Sequence, residues 1–261
     1  MEKRLLRPGA GTPIIEARGL HKEFLITLHR GSLKALILSG GKVTRQHVHA
    51  LNGIDLAVNP GEAVALLGRN GSGKSTFLSL VGRIYLPTRG ELSVRGRVAP
   101  LLELGAGFHP DLTGRENIEL NGVILGLTRK QVAERAESII DFAEVRRFID
   151  APLRTYSSGM QVRLGFAVAV HTDAEIFVVD EALAVGDEEF QEKCFARIGE
   201  LKAQSRTILF VSHEMTDVLR VATRVVWLDQ GRIRMDGDPQ TVVDRYLAQS
   251  HHLLEAEAAG V

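Results

Sequence analysis

The chain has 261 residues, of which 44% are hydrophobic and 25% are charged. These values are typical of a large globular domain with a full core. The 32 basic residues balance the 32 acidic ones, which argues against a dedicated nucleic-acid-binding protein. The single cysteine, Cys194, excludes an intramolecular disulfide, and we expect a half-buried residue in a reducing cytosol. No apolar stretch is long enough to span a bilayer, so we expect any work at a membrane to proceed through a partner.

The first functional motif is a glycine-rich loop between a predicted strand and a predicted helix. An apolar run at 63–67 precedes it, and a helix-like stretch at 77–81 follows it. The glycines allow successive backbone N–H groups to point at phosphate oxygens, and the helix adds the positive end of its dipole. Lys74 would reach the β- and γ-phosphates, and Ser75 would offer its hydroxyl to Mg²⁺. The motif predicts a nucleoside triphosphate site formed by Gly68, Asn70, Gly71, Ser72, Gly73, Lys74, Ser75 and Thr76.

Two helix starts are predicted further along the chain. Residues 128–143 have the apolar spacing of an amphipathic helix, and Thr128 with Gln131 forms a capping box. Taken alone, the small-residue turn that comes next predicts only a helix N-terminus capped by serine. This turn consists of Ser157, Ser158, Gly159 and Met160.

An acidic motif follows the next predicted strand. The apolar run at 176–179 is typical of a buried parallel strand, and it ends in Asp180 and Glu181. At that end of a strand, Asp180 would hold Mg²⁺ and Glu181 would polarise a water molecule for attack on the γ-phosphorus. The strand predicted at 207–211 leads to His213, which would contact the γ-phosphate or, alternatively, lie at the surface without such a role.

The last predicted elements are a strand pair and a helix. Segments 224–229 and 232–235 would pair through the turn at Gln230-Gly231. Asp238 followed by Pro239 marks the start of a helix, which we expect to end at Gln249. Residues 1–12 and 250–261 show no clear core pattern, and we expect them to be flexible ends.

The order and spacing of these motifs resemble those of the ATP-binding-cassette (ABC) ATPases. The resemblance covers residues 13–248 and includes the glycine-rich loop, the Ser157–Met160 turn, Asp180-Glu181, Asp187 and His213. It implies an α/β fold, with a P-loop, RecA-like core, an antiparallel β subdomain and an inserted helical subdomain. Residues 13–110 and 171–237 would form the core and β layer, 111–170 the helical subdomain, and 238–249 a C-terminal helix.

The resemblance also implies a head-to-tail homodimer that hydrolyses ATP with Mg²⁺. The Ser157, Ser158, Gly159 and Met160 turn would be the signature motif, which contacts ATP held by the other subunit. Asp187 would lie in the dimer-contacting D-loop, and Lys74, Glu181 and His213 would be catalytic. Compared with the usual Leu-Ser-Gly-Gly-Gln, this sequence has Tyr156, Ser158 and Met160 in place of Leu, the first Gly and Gln.

This signature variant, with segments 101–110 and 112–117, looks like the branch of the family that exports bacterial surface polysaccharides. O-antigen, capsule and teichoic acid exporters belong to that branch. The glutamine that usually senses Mg²⁺ and the permease is missing: counting without gaps from Pro110 reaches Leu104, and we take the adjacent Glu103 as its substitute.

The N-terminal region departs from ordinary members by an insertion. Phe24 would stack on adenine, with His47 and His49 as alternatives. The insert contains a predicted helix at 32–38, which is either a surface helix or a gate-like element facing the membrane subunit. Its apolar face would consist of Leu33, Leu36 and Ile37.

The resemblance implies an ATPase subunit that powers export of a lipid-linked polysaccharide. It would sit at the cytoplasmic face of the bacterial inner membrane, as a homodimer bound to a permease dimer and without a nucleic-acid partner. The alternatives are an ABC ATPase of another transporter type and a soluble ABC ATPase without a transport role. A P-loop switch or kinase outside the family would lack the 156–163 turn and Glu181.

Overall fold

The computed structural model describes residues 11–28, 44–102, 104–105, 107–180 and 186–258. Several sequence-based predictions lie outside these ranges. They concern Glu103, Glu181 and the insert helix at 32–38 with Leu33, Leu36 and Ile37.

Strands and helices alternate along most of the described chain. In chain order the elements are β1 (Ile15–Leu28), β2 (Thr44–Val58), β3 (Ala63–Leu67), α1 (Lys74–Val81), β4 (Arg89–Val94), β5 (Val98–Leu101), α2 (Gly114–Ile124), α3 (Arg129–Ala143), α4 (Ser158–Val170), β6 (Ile176–Asp180), α5 (Glu188–Ala203), β7 (Thr207–Val211), α6 (Met215–Val221), β8 (Arg224–Asp229), β9 (Arg232–Gly237) and α7 (Pro239–Ala258). Short 3₁₀ turns at Arg146–Phe148 and Leu153–Thr155 connect α3 to α4.

The strands form two sheets. An antiparallel sheet has the order β2-β1-β4, and a mostly parallel sheet has the order β5-β6-β7-β3-β8-β9, with β9 antiparallel at the edge. Strands β3 and β7 are buried along their whole length because structure covers both faces of the parallel sheet. The predicted α/β fold with an antiparallel β layer is confirmed.

Three apolar clusters hold these layers together. One lies on the face of the parallel sheet that α4 and α5 cover, and a second joins the other face to α1 and the antiparallel sheet. The third cluster lies within α2, α3 and α4 and includes Ile139, Leu164 and Tyr156. The helical segment therefore has a core of its own. Cys194 is fully buried in the first cluster, which corrects the expected half-buried position, and this burial raises the pKa of its thiol to about 12.

The helix boundaries follow local capping chemistry. The predicted capping box of α3 is confirmed: Thr128 Oγ1 accepts a 3.2 Å hydrogen bond from Gln131 N, and Gln131 Oε1 accepts one of 2.9 Å from Thr128 N. Helix α7 runs to Ala258, which corrects the expected end at Gln249, whereas the flexibility expected of residues 250–261 stays a prediction. Residues 240–258 contain neither Gly nor Pro and are rich in good helix formers, so nothing in this stretch interrupts the helix. None of the helices in the described ranges has the length and apolarity that a bilayer crossing needs.

Candidate functional site

The loop between β3 and α1 adopts a conformation that depends on glycine. Gly68, Gly71 and Gly73 all have positive φ, at 147°, 79° and 106°. A Cβ on Gly73 would lie 2.6 Å from the carbonyl oxygen of Ala50, and one on Gly68 would overlap the carbonyl oxygen of Leu228. Side chains at positions 68 and 73 would therefore displace the loop from the strands beneath it.

Lys74 lies under this loop as the first residue of α1. Its side chain is buried, and its ammonium donates hydrogen bonds to the carbonyl oxygens of Gly68 at 2.7 Å and Arg69 at 3.1 Å. The buried charge is thus held by oxygens of the loop itself. Ser72 Oγ is buried and has no hydrogen-bond partner among the described residues. A phosphate bound at this helix N-terminus would pair with the buried Lys74 ammonium and give Ser72 Oγ a hydrogen-bond partner.

The other loop residues predicted to bind ATP lie on the open side. Asn70, Gly71 and Ser75 are exposed, Thr76 is half-buried, and no atom lies within 4 Å of where a Cβ on Gly71 would be. Ligand atoms could therefore approach the loop backbone directly.

A turn from the far edge of the parallel sheet braces the loop. Gly231 N donates to Ser72 O at 3.0 Å, and Asn52 N donates to Gly231 O at 2.8 Å. Asn52 Nδ2 also donates to Gln230 O at 3.0 Å. The loop is thus tied to both sheets, which limits its freedom to change shape.

The acidic motif reaches the same edge of the sheet as the loop. In the parallel sheet, Asp180 of β6 lies level with Val211 of β7. Ala65 of β3 pairs with Phe210 of β7, so the next residue, Leu66, lies level with Val211 and completes this row. With roughly 4.8 Å between neighbouring strands, Asp180 lies about 10 Å from Leu66, which is two residues before the loop. His213, two residues after Val211, is exposed at this edge. The fold therefore brings Lys74, Asp180 and His213 to one end of the sheet.

The oxygen donors at this edge fit Mg²⁺. Asp180 Oδ1 is buried and has no hydrogen-bond partner among the described residues, and the Ser75 side chain is exposed at the start of α1. Carboxylate and hydroxyl oxygens are hard ligands suited to this ion, which usually keeps phosphate and water in its shell. Within the described chain, no cluster of three His, Cys, Asp or Glu residues could hold a metal by itself.

Leu104 is not available as a polar ligand. Its side chain is half-buried and packs against the first apolar cluster. The predicted substitution of Glu103 for the missing glutamine concerns a residue outside the described ranges.

Phe24 lies on β1 opposite Val48 of β2. Its ring meets the ring of exposed Tyr85 edge-on, with 5.3 Å between centroids, and Lys22 Nζ lies 4.9 Å from the Phe24 centroid. Tyr85 was not a predicted site residue, because it comes from the segment after α1 and only the fold brings it to β1.

The two alternative stacking residues lie on the other face of the same sheet. His47 and His49 of β2 both approach the Glu23 carboxylate, at 4.0 Å and 3.4 Å. Side chains of neighbouring strand residues alternate between faces, so Glu23 and the two histidines face away from Phe24. Phe24 and the histidines therefore belong to different surfaces.

The predicted signature turn is the N-terminus of α4. Ser157 is the N-cap, and its Oγ accepts a 3.2 Å hydrogen bond from Met160 N. Ser157 and Ser158 are exposed, and a Cβ added to Gly159 would meet only Ser157 Oγ, at 3.9 Å. The turn thus presents backbone N–H groups and the positive end of a helix dipole to its surroundings. It rests on the apolar core of α2, α3 and α4, apart from the parallel sheet that carries the phosphate loop.

Asp187 is the N-cap of α5. Its Oδ1 accepts a 3.0 Å hydrogen bond from Phe190 N, and its Oδ2 accepts one of 2.7 Å from Arg163 Nη2. The Phe190 N–H, followed by the Arg163 charge, lowers the pKa of the Asp187 carboxyl. Arg163 was also not predicted as a site residue, because nothing in the sequence indicates that it reaches α5.

A family model described as "ABC transporter" matches residues 51–184. Among curated proteins, the O-antigen export system ATP-binding protein RfbB of Klebsiella pneumoniae is 47% identical over 239 residues, which is 90% of this chain and 97% of the relative. RfbB of Myxococcus xanthus is 50% identical over 212 residues, or 81% of this chain and 48% of the relative. The teichoic acids export ATP-binding protein TagH of Bacillus anthracis is 42% identical over 201 residues, or 77% of this chain and 36% of the relative.

Solved structures share the fold at lower identity. An ATP-binding subunit of an ABC transporter has a TM-score of 0.71 at 22% identity, covering 89% of this chain and 93% of its own. A dimeric ATP-binding cassette in a post-hydrolysis state, bound to ADP and Pi, has a TM-score of 0.68 at 21% identity, covering 86% of this chain and 98% of its own. Together with the family model and the curated relatives, these likenesses identify the chain as a member of the ABC transporter family.

Proposed function

We propose that this chain is the ATP-hydrolysing subunit of a transporter that exports a lipid-linked surface polysaccharide. The observation that supports the ATPase part is the position of the Lys74 loop and Asp180 at one edge of the sheet, where Asp180 Oδ1 is buried with no partner among the described residues. The names of the relatives support the substrate class, since they span O-antigen and teichoic acid export.

The catalytic roles follow from the chemistry of each residue. Lys74 neutralises charge on the β- and γ-phosphates, and the glycine-rich loop donates N–H groups to their oxygens. Ser75 and Asp180 would hold Mg²⁺, which would neutralise part of the negative charge on the phosphates. Glu181, directly after Asp180 in the sequence, takes the proton of the attacking water, and His213 contacts the γ-phosphate.

The unit that hydrolyses ATP is a head-to-tail homodimer. The exposed N-terminus of α4 supports this arrangement, because a helix N-terminus with an N-cap serine is suited to bind phosphate. In the dimer, Ser157, Ser158, Gly159 and Met160 of one subunit contact the ATP of the other, and Asp187 lies beside the partner. Phe24 stacks on adenine.

An apolar groove supports the proposed permease contact. It runs between the parallel sheet and the helical segment, and Ile84, Leu104, Phe108 and Ile124 are among the residues that line it. Ile84 and Ile124 are 51% and 61% exposed at its rim. Exposed apolar side chains beside a groove are typical of a protein interface, and the permease on the inner membrane is the occupant we propose. The insert at 30–41 remains a second proposed contact.

The decisive experiment combines hydrolysis with export in the native cell. The purified chain should hydrolyse MgATP, and Lys74→Ala should not. Depleting the chain should remove the surface glycan and leave lipid-linked glycan inside the cell, and the parent chain, but not Lys74→Ala, should restore export. Normal surface glycan after depletion would contradict polysaccharide export and favour another transporter type or a soluble ATPase.

A further inference from the structure

One arginine side chain connects three separate elements beside the signature turn. Arg163 lies on α4, and its guanidinium donates to Glu144 Oε2 at 2.8 Å and to Asp187 Oδ2 at 2.7 Å. It also lies over the ring of Phe190, 4.7 Å from the centroid. Glu144 is the C-cap of α3, and Asp187 is the N-cap of α5. The Arg163 guanidinium on α4 therefore joins the C-terminal end of α3 to the N-terminal end of α5.

These contacts border the same cleft as the signature turn. The cleft is lined by Ser157, Gly159, Met160, Arg163 and Asp187, among others. Arg163 therefore faces the space between the two elements that we propose to contact the partner subunit. Lys193 of α5 donates to the second oxygen of Glu144 at 2.9 Å, which holds this carboxylate in place.

The energetics indicate that Arg163 contributes more to geometry than to stability. Its own side chain is only 18% exposed, but the Asp187 side chain is 66% exposed. An ion pair with such an exposed partner adds little to the free energy of unfolding. The planar guanidinium, in contrast, fixes two carboxylates at once along set directions, which the single ammonium of a lysine cannot reproduce.

We propose that Arg163 is a positioning residue for the composite ATP site. Its guanidinium holds the Ser157 turn and Asp187 in one fixed relation. It does so without touching the nucleotide: α4 carries the Ser157 N-cap, and the Arg163–Asp187 contact ties α4 to the N-terminus of α5. The inference rests on the proposed ATPase function. It predicts that weakening this contact reduces turnover in the dimer while each subunit still binds ATP at its own phosphate loop.

The chain offers a matched control in Arg220 of α6. Its guanidinium donates to both oxygens of Glu192, each at 2.8 Å, and lies over the Phe195 ring at 4.6 Å. This arginine also pairs with a carboxylate and a phenylalanine of α5, but it makes no such link to α4. Arg163→Lys and Arg220→Lys therefore remove similar contacts at different places.

The test measures three quantities in the full chain: the kcat of MgATP hydrolysis, equilibrium binding of MgATP and the Tm. Arg163→Lys should lower kcat about 10- to 100-fold, the range expected when reacting groups are misplaced. MgATP binding and the Tm should stay at the parent values. Arg220→Lys should leave all three unchanged. Unchanged kcat in Arg163→Lys, or equal losses in both variants, would overturn the proposal.

A second variant isolates the contact with Asp187. Asp187→Asn keeps an N-cap acceptor but removes the charge that faces Arg163. It should lower kcat to a similar extent, and combining it with Arg163→Lys should add little, because both changes break one contact. Fully additive losses would contradict the proposed link. A parent chain that does not hydrolyse MgATP would contradict the proposed function together with this inference, whereas an active parent with an equally active Arg163→Lys would contradict this inference alone.

Discussion

Tyr156 Oη donates a 2.7 Å hydrogen bond to the carbonyl oxygen of Phe148. The phenol is buried within the helical core, and this burial raises its pKa. Tyr156 directly precedes the Ser157 N-cap, so the hydrogen bond anchors the signature turn to the 3₁₀ segment at Arg146–Phe148. The tyrosine that replaces the usual leucine thus adds a polar anchor at this point of the fold.

Removing this anchor should destabilise the protein measurably. Tyr156→Phe leaves the Phe148 carbonyl oxygen without this donor, and we expect a loss of about 1 kcal/mol in the free energy of unfolding. Urea denaturation followed by circular dichroism would measure it. Tyr85→Phe, at an exposed position, is the control and should change stability by less than about 0.5 kcal/mol. Equal effects of the two changes would show that the Tyr156 hydroxyl stabilises the fold no more than the exposed Tyr85 hydroxyl does.

Gly114, the first residue of α2, is packed too closely for a larger side chain. A Cβ at this position would overlap Tyr156 Oη and lie 3.1 Å from the Ile149 carbonyl oxygen. Gly114→Ala should therefore lower the free energy of unfolding by about 1–3 kcal/mol. Gly199 of α5 has no atom within 4 Å of its added Cβ, and Gly199→Ala should stabilise the protein by about 0.5–1 kcal/mol. A stabilising Gly114→Ala would contradict this packing.

Glu181→Gln should separate ATP binding from hydrolysis. The amide keeps the shape of the side chain but cannot accept the proton of the attacking water, so we expect a loss of about 10²- to 10⁴-fold in kcat. MgATP binding should persist, and a dimer should accumulate in size-exclusion chromatography. Lys74→Ala, which removes phosphate binding, is the control and should form no such dimer. Turnover near the parent rate would rule out Glu181 as the base.

Mixing two inactive chains tests whether the signature turn acts on the partner's ATP. Lys74→Ala removes a chain's own phosphate contact, and Ser157→Arg blocks the surface at the start of α4. Their heterodimer should contain one intact composite site and regain part of the parent ATPase activity. Each variant alone is the control.

No gain in the mixture would mean that the two sites act only together or that Ser157 does not act in trans. Cysteines at Ser157 and Gly71 separate these explanations: a crosslink between subunits in MgATP supports contact in trans, and its absence contradicts it.

Polar residues at the groove rim should weaken the permease contact. Ile84→Ser with Ile124→Ser removes two exposed apolar side chains. The free energy of unfolding should therefore change little, while export falls. Leu219→Ser, at a 39% exposed position on α6 outside the groove, is the control. The measurements are surface glycan in cells, copurification with the permease, and ATPase activity of the isolated chain. Full export by the double variant would exclude the groove as a docking surface.

The sequence alone was sufficient to predict the features that depend on local chemistry. The glycine-rich loop, the capping box at Thr128 and the buried strand before Asp180 rest on short-range patterns that backbone geometry and burial impose. The resemblance of the motif order to that of the ABC ATPases also predicted the fold.

The tertiary structure decided which distant residues meet. Arg163 reaches Asp187, Tyr85 meets Phe24, and Lys74 shares a sheet edge with Asp180, although each pair is far apart in the chain. It also separated Phe24 from the alternative His47, because the two residues lie on opposite faces of one sheet. Local patterns determine helices, strands and caps, whereas such pairings depend on strand register and helix packing, which are set by the burial of the whole core.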